Sequence, residues 1–294
     1  MSHAQRICFI GLGVMGEPIC RNLVLKSGAA VLGYDRDVAP LVRLKSHGVV
    51  PAASVGEAAA RSDVVFLSLP SGEAVASVVS GQHGLLEASH AGQIVVDLGT
   101  SPVDLARRLA REFAERRAVF VDAPVARTRA AAEAGTLSVM VGAEPAIFEA
   151  IRPLLATFAS DVTHCGPVGC GQVVKILNNM VLFETVVALA EAHAIGMHAG
   201  VDARVLFETL SKGSADSFAL RNHGMKAILR GDYPTRAFSV EYARKDLGYA
   251  LQLAREAGVD ASGARNAEAY LRRAVEAGDG DRYFPVVRRH VAAG

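Results

Sequence analysis

The chain has 294 residues, of which 51% are hydrophobic and 21% are charged, and its formal net charge is +1. This length allows two domains, and the hydrophobic content is sufficient for a sizeable core. A nearly neutral chain without a long basic or acidic block argues against non-specific binding to nucleic acid or to a membrane surface. No run of about 18 charge-free apolar residues occurs, so we expect no transmembrane helix.

The cysteines and histidines give no indication of a metal site. Cys8, Cys20, Cys165 and Cys170 lack CxxC spacing, and none of the nine histidines belongs to an HExxH motif. We therefore interpret the cysteines as buried free thiols and expect no bound metal. The segment before the first motif is too short for a secretory signal peptide, so a cytoplasmic protein is expected.

Short apolar runs alternate with helix-like segments through the first half of the chain. Runs of this kind are typical of parallel strands that are covered on both faces. Segments such as residues 17–28 (EPICRNLVLKSG) and 102–117 (PVDLARRLAREFAERR) separate them. This alternation predicts an open, doubly wound, mainly parallel α/β sheet of the Rossmann type. The apolar runs cover residues 7–10, 30–34, 64–67, 94–96, 118–121 and 138–141.

The second half of the chain has few strand signals. Residues 171–200 predict one long helix that ends at Gly196 or Gly200, and residues 202–213 and 242–258 also predict helices. We therefore predict two domains, a dinucleotide-binding domain over residues 1–166 and an all-helical domain over residues 167–294, joined through the long helix.

The first predicted strand leads directly into a glycine-rich loop, GLGVMG, and then into a helix-like segment. Gly11, Gly13 and Gly16 have the GxGxxG spacing, which gives a tight turn, a close approach to a pyrophosphate and close packing of helix on strand. Asp35 ends the second predicted strand, where a carboxylate binds the ribose 2′-hydroxyl and repels a 2′-phosphate. NAD is therefore favoured over NADP, although Arg36 follows directly. A tight turn without a ligand is the alternative.

Lys175 lies among apolar residues of the predicted long helix, and Asn178 and Asn179 follow at i+3 and i+4. These positions share one side of a helix, so the three side chains form a polar stripe on an apolar segment. We expect the stripe to be buried against polar groups, because a buried amine without partners is unfavourable. A neutral lysine at such a place can accept a substrate hydroxyl proton. The alternative is an exposed lysine without a catalytic role.

Several motifs occur together in one order along nearly the whole chain: GLGVMG, the pair Leu69-Pro70, DLGTSP, DAPV, GTLSVMVG, GCGQVVKILNN and RKDLG. In these motifs the chain resembles the β-hydroxyacid dehydrogenase family, which includes 3-hydroxyisobutyrate dehydrogenases and tartronate semialdehyde reductases. The resemblance implies NAD(P)-dependent oxidation of a β-hydroxyacid, or reduction of the matching semialdehyde. It also implies a Rossmann domain followed by a helical domain, and a homodimer or homotetramer.

The resemblance further implies roles for individual residues. Lys175 is at the position of the family's general acid/base, and an asparagine one turn later orients the substrate. Phe238 and Asp246 match positions near the active site, and Lys245 is implied to reach the cofactor. Leu69, Pro70 and Thr100 are implied on the nicotinamide side. The other implied cofactor residues are Gly11, Leu12, Gly13, Val14, Met15, Gly16, Asp35 and Arg36.

The chain departs from the family after DAPV, where relatives carry Ser-Gly-Gly and this chain has Ala126-Arg127-Thr128. The change resembles the sulfolactaldehyde reductase branch, in which an arginine here holds a sulfonate. A guanidinium is always charged, and its forked donors suit oxyanions. We therefore predict that Arg127 and Thr128 bind the substrate anion, whether this is a sulfonate, a phosphonate or a carboxylate. Arg129 is expected to be a solvated residue at the start of a helix.

Two alternatives to a hydroxyacid dehydrogenase remain at this point. An imine reductase has the same scaffold, but such enzymes usually lack the lysine found here at position 175. The alternative from a different class is a dinucleotide-binding module without catalysis. An additional basic or reader domain would favour that module, and the sequence shows no such domain.

Overall fold

In the computed structural model, residues 5–291 are described, and the chain forms two compact units that divide between Lys175 and Ile176. In the described part of the first unit, nine strands form one sheet in the order β3-β2-β1-β4-β5-β6-β8-β7, with β9 beside β8. The strands are β1 (Arg6–Ile10), β2 (Ala30–Tyr34), β3 (Val50–Pro51), β4 (Val64–Leu67), β5 (Ile94–Asp97), β6 (Val119–Asp122), β7 (Val125–Ala126), β8 (Leu137–Gly142) and β9 (Ala159–Gly166).

The sheet is mainly parallel, as predicted. Strands β1 to β6 pair in parallel with one another, β8 is antiparallel to β6 and β7, and β9 is parallel to β8. The strand order reverses at β1, which has β2 on one side and β4 on the other. The carboxyl ends of strands at such a switch point leave a crevice for a ligand. The predicted doubly wound Rossmann-type domain is therefore confirmed.

Helices cover both faces of this sheet because successive strand residues point to opposite sides. In β1, Ile7 and Phe9 belong to one apolar cluster and Cys8 and Ile10 to the other, and all four are at most 1% exposed. Burial on both faces explains why the strand sequences are continuously apolar. The helices of this unit are α1 (Gly16–Ser27), α2 (Val38–Lys45), α3 (Val55–Ala60), α4 (Gly72–Ser80), α5 (Leu85–Ala88), α6 (Val103–Glu115), α7 (Arg129–Ala134) and α8 (Pro145–Leu155).

The second unit is helical in its described residues, which confirms the predicted change of character. Helix α9 (Cys170–His198) begins in the first unit and continues into the second, close to the predicted range 171–200. The other helical elements are α10 (Ala203–Leu210), a π-helix (Leu220–Ile228), α11 (Val240–Glu256), α12 (Ser262–Glu276) and a 3-10 helix (Phe284–His290).

Strand β9 is the longest strand that the sequence analysis does not predict. Its sequence, ASDVTHCG, contains no apolar run, and most of its residues are exposed or half-buried. It forms because β8 offers an edge to which its backbone pairs. The predicted division between residues 166 and 167 falls where β9 ends, whereas the two compact units divide further on, within α9.

Helix α9 is, within residues 5–291, the one helix long and apolar enough to cross a membrane by length and composition alone. The buried share of its most apolar window is 44%. Core helices pass the same test, so length and composition are weak evidence for a membrane span. Four buried side chains, Ile176, Phe183, Val186 and Ala190, follow one another at helical spacing along it.

The four cysteines are free thiols, but only Cys8 and Cys20 are buried. Burial raises the pKa of the Cys8 thiol to about 12. Cys165, near the end of β9, and Cys170, the first residue of α9, are half-buried. Among residues 5–291, no group of three or more His, Cys, Asp or Glu side chains is arranged to hold a metal ion.

Candidate active site

The loop between β1 and α1 gives each of its glycines a different geometry. Gly11 has a φ of +92°, and a Cβ atom on it would lie 2.3 Å from the carbonyl oxygen of Ser68. A Cβ atom on Gly16 would lie 1.9 Å from the carbonyl oxygen of Gly11, so the start of the helix packs directly on the turn. The Cβ position of Gly13 has nothing within 4 Å. This open side, with the first N–H groups of α1 and no side-chain cap from Met15, fits a dinucleotide pyrophosphate.

Asp35 follows β2 at the same edge of the sheet. One carboxylate oxygen accepts a hydrogen bond from the backbone N–H of Leu12 at 2.5 Å, and the other accepts one from Asp37 at 2.8 Å. The carboxylate is therefore oriented beside the glycine loop, whereas Arg36 is exposed. This placement fits a ribose diol next to the pyrophosphate.

The loop after β5 is held by a buried carboxylate. Asp97 accepts hydrogen bonds from the backbone N–H of Gly99 and from the hydroxyl of Ser101, both at 2.9 Å. A Cβ atom on Gly99 would lie 3.0 Å from the carbonyl oxygen of Leu69, so this loop packs against the segment after β4. The half-buried or exposed cofactor residues predicted at this edge include Val14, Met15, Leu69, Pro70 and Thr100.

The neighbouring strand, β6, also ends in a buried carboxylate, that of Asp122. Asp122 is in register with Asp97 of β5. One oxygen accepts from the N–H of Gly169 and the other from the N–H of Gln172, both at 2.7 Å. These groups belong to the start of α9, so Asp122 ties that helix to the sheet. Burial raises the pKa of Asp122 to about 6, although the backbone N–H groups oppose this rise.

Helix α9 carries the polar stripe that the sequence predicts, and this stripe is only partly buried. Lys175, in the second turn, is 8% exposed, and Asn179, one turn later, is 1% exposed. Asn178 is exposed. The amine therefore lies in the protein interior close to the helix end that Asp122 holds.

In the second unit, four predicted residues form one chain of polar contacts between α9 and α11. The amide of Asn178 donates to Asn179 at 3.1 Å, and Asn179 donates to Asp246 at 2.7 Å. The ammonium of Lys245 lies 3.0 Å from the other oxygen of Asp246 and also lies over two tyrosine rings of α11. Asp246 is 3% exposed, so one oxygen of this buried carboxylate is hydrogen-bonded and the other is ion-paired.

Phe238 lies in an aromatic cluster of the second unit. Its ring centroid is 5.7 Å from that of Phe183 and 5.5 Å from that of Phe284. The half-buried ring therefore contributes to the core of this unit. A contact of Phe238 with a substrate stays a prediction.

Arg127 is placed differently from the open anion seat that the sequence predicts. Its guanidinium donates to the carbonyl oxygen of Thr136 at 2.7 Å, to the Ser160 hydroxyl at 2.8 Å and to the Asp161 carboxylate at 2.7 Å. The Ser160 hydroxyl, and then the guanidinium, lower the pKa of Asp161. Two of these partners lie on β9, the strand that the sequence does not reveal, so the pairing was not foreseen. Thr128 caps α7 by accepting from the N–H of Ala131 at 3.4 Å.

The backbone of Arg127 has a φ of +85°, in the left-handed region that glycine favours. The family that the chain resembles carries glycine at this position. A side chain here costs about 1 kcal/mol or more, and such strain persists where the surroundings over-determine the conformation. The three side-chain hydrogen bonds of Arg127 supply that constraint.

Comparison with known proteins assigns both halves of the chain. Residues 6–166 match the NAD binding domain of 6-phosphogluconate dehydrogenase, and residues 169–288 match the NAD-binding model of NADP-dependent 3-hydroxyisobutyrate dehydrogenase. The chain is 37% identical over 259 residues to 2-(hydroxymethyl)glutarate dehydrogenase of Eubacterium barkeri, covering 88% of this chain and 85% of that protein. It is 32% identical over 291 residues to an NAD-dependent L-serine dehydrogenase of Pseudomonas aeruginosa, covering 97% of each.

A solved structure agrees with these matches. Mycobacterium tuberculosis 3-hydroxyisobutyrate dehydrogenase, determined with L-serine, is 30% identical, has a TM-score of 0.89 and covers 98% of this chain and 99% of its own. The chain belongs to the 3-hydroxyisobutyrate dehydrogenase-related family of β-hydroxyacid dehydrogenases. It is an NAD-dependent oxidoreductase that acts on CH–OH groups.

Sequence reasoning missed four residues of this edge of the enzyme: Asp97, Ser101, Asp122 and Gln172. A signal was present for the two acids, because each stands at the end of a predicted strand, in DLGTS and in DAPV. Adjacent parallel strands bring such ends together. No local signal marks Gln172, because its amide pairs with backbone groups of a distant segment. Ser101 is marked only by its place in DLGTS, where its hydroxyl donates to Asp97.

We expect Asp35→Ser to change the choice of cofactor. Loss of the carboxylate removes charge-assisted hydrogen bonds to the ribose and the repulsion of a 2′-phosphate, so NADH should bind roughly 10- to 100-fold more weakly relative to NADPH. Fluorescence titration of NADH and NADPH measures both dissociation constants. Asp37→Ser is the matched control, because the side chain of Asp37 caps α2 and serine keeps such a cap. An unchanged ratio in Asp35→Ser would contradict the assignment.

The raised pKa of Asp122 leads us to expect that the free energy of unfolding depends on pH. Its carboxyl has a pKa of about 6 in the folded enzyme against 3.8 in the reference state, so its contribution to stability is fully present below the lower value. That contribution is lost as the pH rises through about 6, and it is on the order of a few kcal/mol. Urea unfolding should therefore show wild type losing stability relative to Asp122→Asn as the pH rises over this window. Parallel pH curves for the two proteins would refute the expectation.

Proposed function

We propose that this enzyme interconverts a small anionic β-hydroxyacid and its semialdehyde, with Lys175 as the general acid/base. The observation that carries the proposal is the buried amine of Lys175, 8% exposed, on a helix whose start is fixed to the cofactor edge of the sheet by Asp122. The names of the relatives support this substrate class, because they are dehydrogenases of hydroxymethylglutarate, serine and hydroxyisobutyrate.

In the oxidative direction, the carbinol C–H bond breaks and the O–H proton must leave. NAD, when bound, takes up the hydride with its electron pair. The neutral amine of Lys175 accepts the hydroxyl proton as the carbonyl forms, and in the reverse direction the ammonium returns it to the alkoxide oxygen. Asn179 and Asp246 orient the substrate through the hydrogen bond that links them. Asn178, Phe238 and Thr128 complete the proposed substrate residues.

The geometry of the first unit supports the cofactor assignment that we propose. Gly11, Gly13 and Gly16 with the neighbouring loop residues hold the pyrophosphate, and Asp35 holds the ribose. Leu69, Pro70 and Thr100 line the nicotinamide side, and Lys245 is assigned to the cofactor by resemblance. Residues 1–166 are proposed as the dinucleotide-binding domain and residues 167–294 as the domain for substrate and oligomer contacts. A cytoplasmic homodimer or homotetramer completes the proposal.

The substrate anion is assigned to Arg127. Its ion pair with Asp161 is partly solvated, with side-chain exposures of 35% and 55%, and such pairs contribute about 1 kcal/mol or less. A sulfonate or carboxylate can therefore replace Asp161 as the partner of the guanidinium at small free-energy cost. A sulfolactaldehyde-type substrate and a carboxylate of the hydroxyisobutyrate or tartronate semialdehyde type are both compatible with this exchange.

We expect Lys175→Met to lower kcat by about 10²- to 10⁴-fold, the usual contribution of general acid–base catalysis. The dissociation constant of NADH should stay close to that of wild type, because the glycine loop and Asp35 are untouched. Lys175→Arg is the control for size and charge, and it should be as inactive, because a guanidinium does not release its proton. Substantial turnover by Lys175→Met would refute the assignment.

A substrate panel with carboxylate, sulfonate and phosphonate ends tests the anion assignment. On the best substrate, Arg127→Ala should raise KM by roughly 10- to 100-fold, as expected for the loss of one or two charge-assisted bonds. Asp161→Asn should lower KM, because it frees the guanidinium. Arg129→Ala is the matched control, since Arg129 forms an exposed ion pair with Glu133. An increase of KM in Asp161→Asn would show that the ion pair merely supports the loop.

A further inference from the structure

Gln172 is a fully buried side chain in the first turn of α9 that the mechanism above does not use. Its Nε2 donates to the carbonyl oxygen of Gly99 at 2.8 Å, and its Oε1 accepts from the N–H of Ser101 at 3.0 Å. One amide thus pairs with the backbone on both sides of Thr100, offering a donor and an acceptor as a neighbouring strand does.

The loop that Gln172 binds is held from the other side by Asp97. That carboxylate accepts from the N–H of Gly99 and from the hydroxyl of Ser101, so both neighbours of Thr100 have two anchors each. The close approach of Gly99 to the carbonyl oxygen of Leu69 leaves little room for the loop to move toward β4. The position of Thr100 is therefore set by Asp97 and Gln172 together.

The same glutamine is part of the helix that carries Lys175. Its backbone N–H donates to Asp122 at 2.7 Å, and Lys175 follows three residues later, about 4.5 Å along the helix axis. A continuous set of buried hydrogen bonds therefore runs from Asp97 through the Thr100 loop and Gln172 to Asp122.

We propose that Gln172 is a positioning residue that holds the Thr100 loop and the Lys175 turn in one arrangement. The inference rests on the proposed function, in which Thr100 faces the nicotinamide and Lys175 moves the proton. Hydride and proton leave from adjacent atoms of one substrate, so the two groups must keep a fixed separation. A misplacement of about 1 Å can lower a rate by about 100-fold.

Gln93 offers a matched control within the same sheet. It is also fully buried, and its Nε2 donates to the carbonyl oxygens of Ala59 and Ser62 at 2.7 and 2.8 Å. It precedes β5 at the amino end of the strands, opposite the cofactor edge. Replacing either glutamine by methionine removes a buried amide of the same size and leaves backbone groups unsatisfied.

The experiment compares Gln172→Met and Gln93→Met by melting temperature, NADH dissociation constant, kcat and KM on the best panel substrate. Both variants should lose similar stability. Only Gln172→Met should lose kcat, by about 100-fold, with the NADH dissociation constant close to that of wild type. Acetylation of Lys175 by acetic anhydride in saturating NADH, followed by mass spectrometry, gives a readout without turnover. We expect faster labelling of Lys175 in Gln172→Met than in wild type or Gln93→Met.

Gln172→Glu adds a pH signature that a merely structural role would not give. When protonated, its carboxyl can donate to Gly99 and accept from Ser101, whereas the ionised form cannot donate. Its kcat relative to wild type should therefore rise as the pH falls. Asp97 and Asp122 face the residue at position 172, and Lys175 lies on the same helix. These groups titrate in both proteins, so the quantity to compare at each pH is the kcat of Gln172→Glu divided by that of wild type.

The outcomes separate this inference from the proposed function. If wild type turns over no substrate of the panel, the proposed function fails, and the labelling of Lys175 still tests the link to Gln172. If Gln172→Met and Gln93→Met behave alike in both kcat and labelling, or if Gln172→Met keeps wild-type values of both, the positioning role is overturned.

Discussion

The position of Lys175 depends on the buried carboxylate of Asp122. This side chain ends β6 and accepts the first free N–H groups of α9, so a helix of 29 residues is fixed to the sheet at one end. Leaving such groups unpaired in the interior costs about 1–3 kcal/mol each. A Cβ atom on Gly171 would lie 2.9 Å from the carboxylate, so this contact also requires a very small residue beside it. The position of Lys175 is therefore set by the attachment of its helix to the sheet.

On the cofactor side, the adjacent strand β5 also ends in a buried aspartate that anchors the segment after it. Asp97 ends β5 in register with Asp122, and it holds the loop that contains Thr100. Two parallel strands thus present two buried acids at one edge, one for the cofactor loop and one for the lysine helix. Gln172 joins the two systems. Parallel strands make this possible because all their carboxyl ends meet at one edge.

The loop that carries Arg127 is held by different interactions. Arg127 keeps a left-handed backbone, and its guanidinium contacts β9 at a partly solvated site. Bonds of this kind are weak and exchangeable, in contrast to the buried bonds of Asp97 and Asp122. In the proposed function, the chemical steps therefore depend on a rigid buried network, whereas recognition of the anion lies on a loop whose sequence can change without disturbing that network. This separation is consistent with one family acting on several hydroxyacids.

The sequence by itself determined the Rossmann-type sheet, the glycine loop with Asp35 and the long helix with Lys175, because each depends on local periodicity or spacing. It could not determine β9, whose polar sequence becomes a strand only through the edge of β8. For the same reason the sequence could not show that Arg127, the predicted anion-binding residue, pairs with Asp161. The bonds of Asp97, Asp122 and Gln172 join segments far apart in the chain, so only the tertiary structure decided which backbone groups these side chains hold.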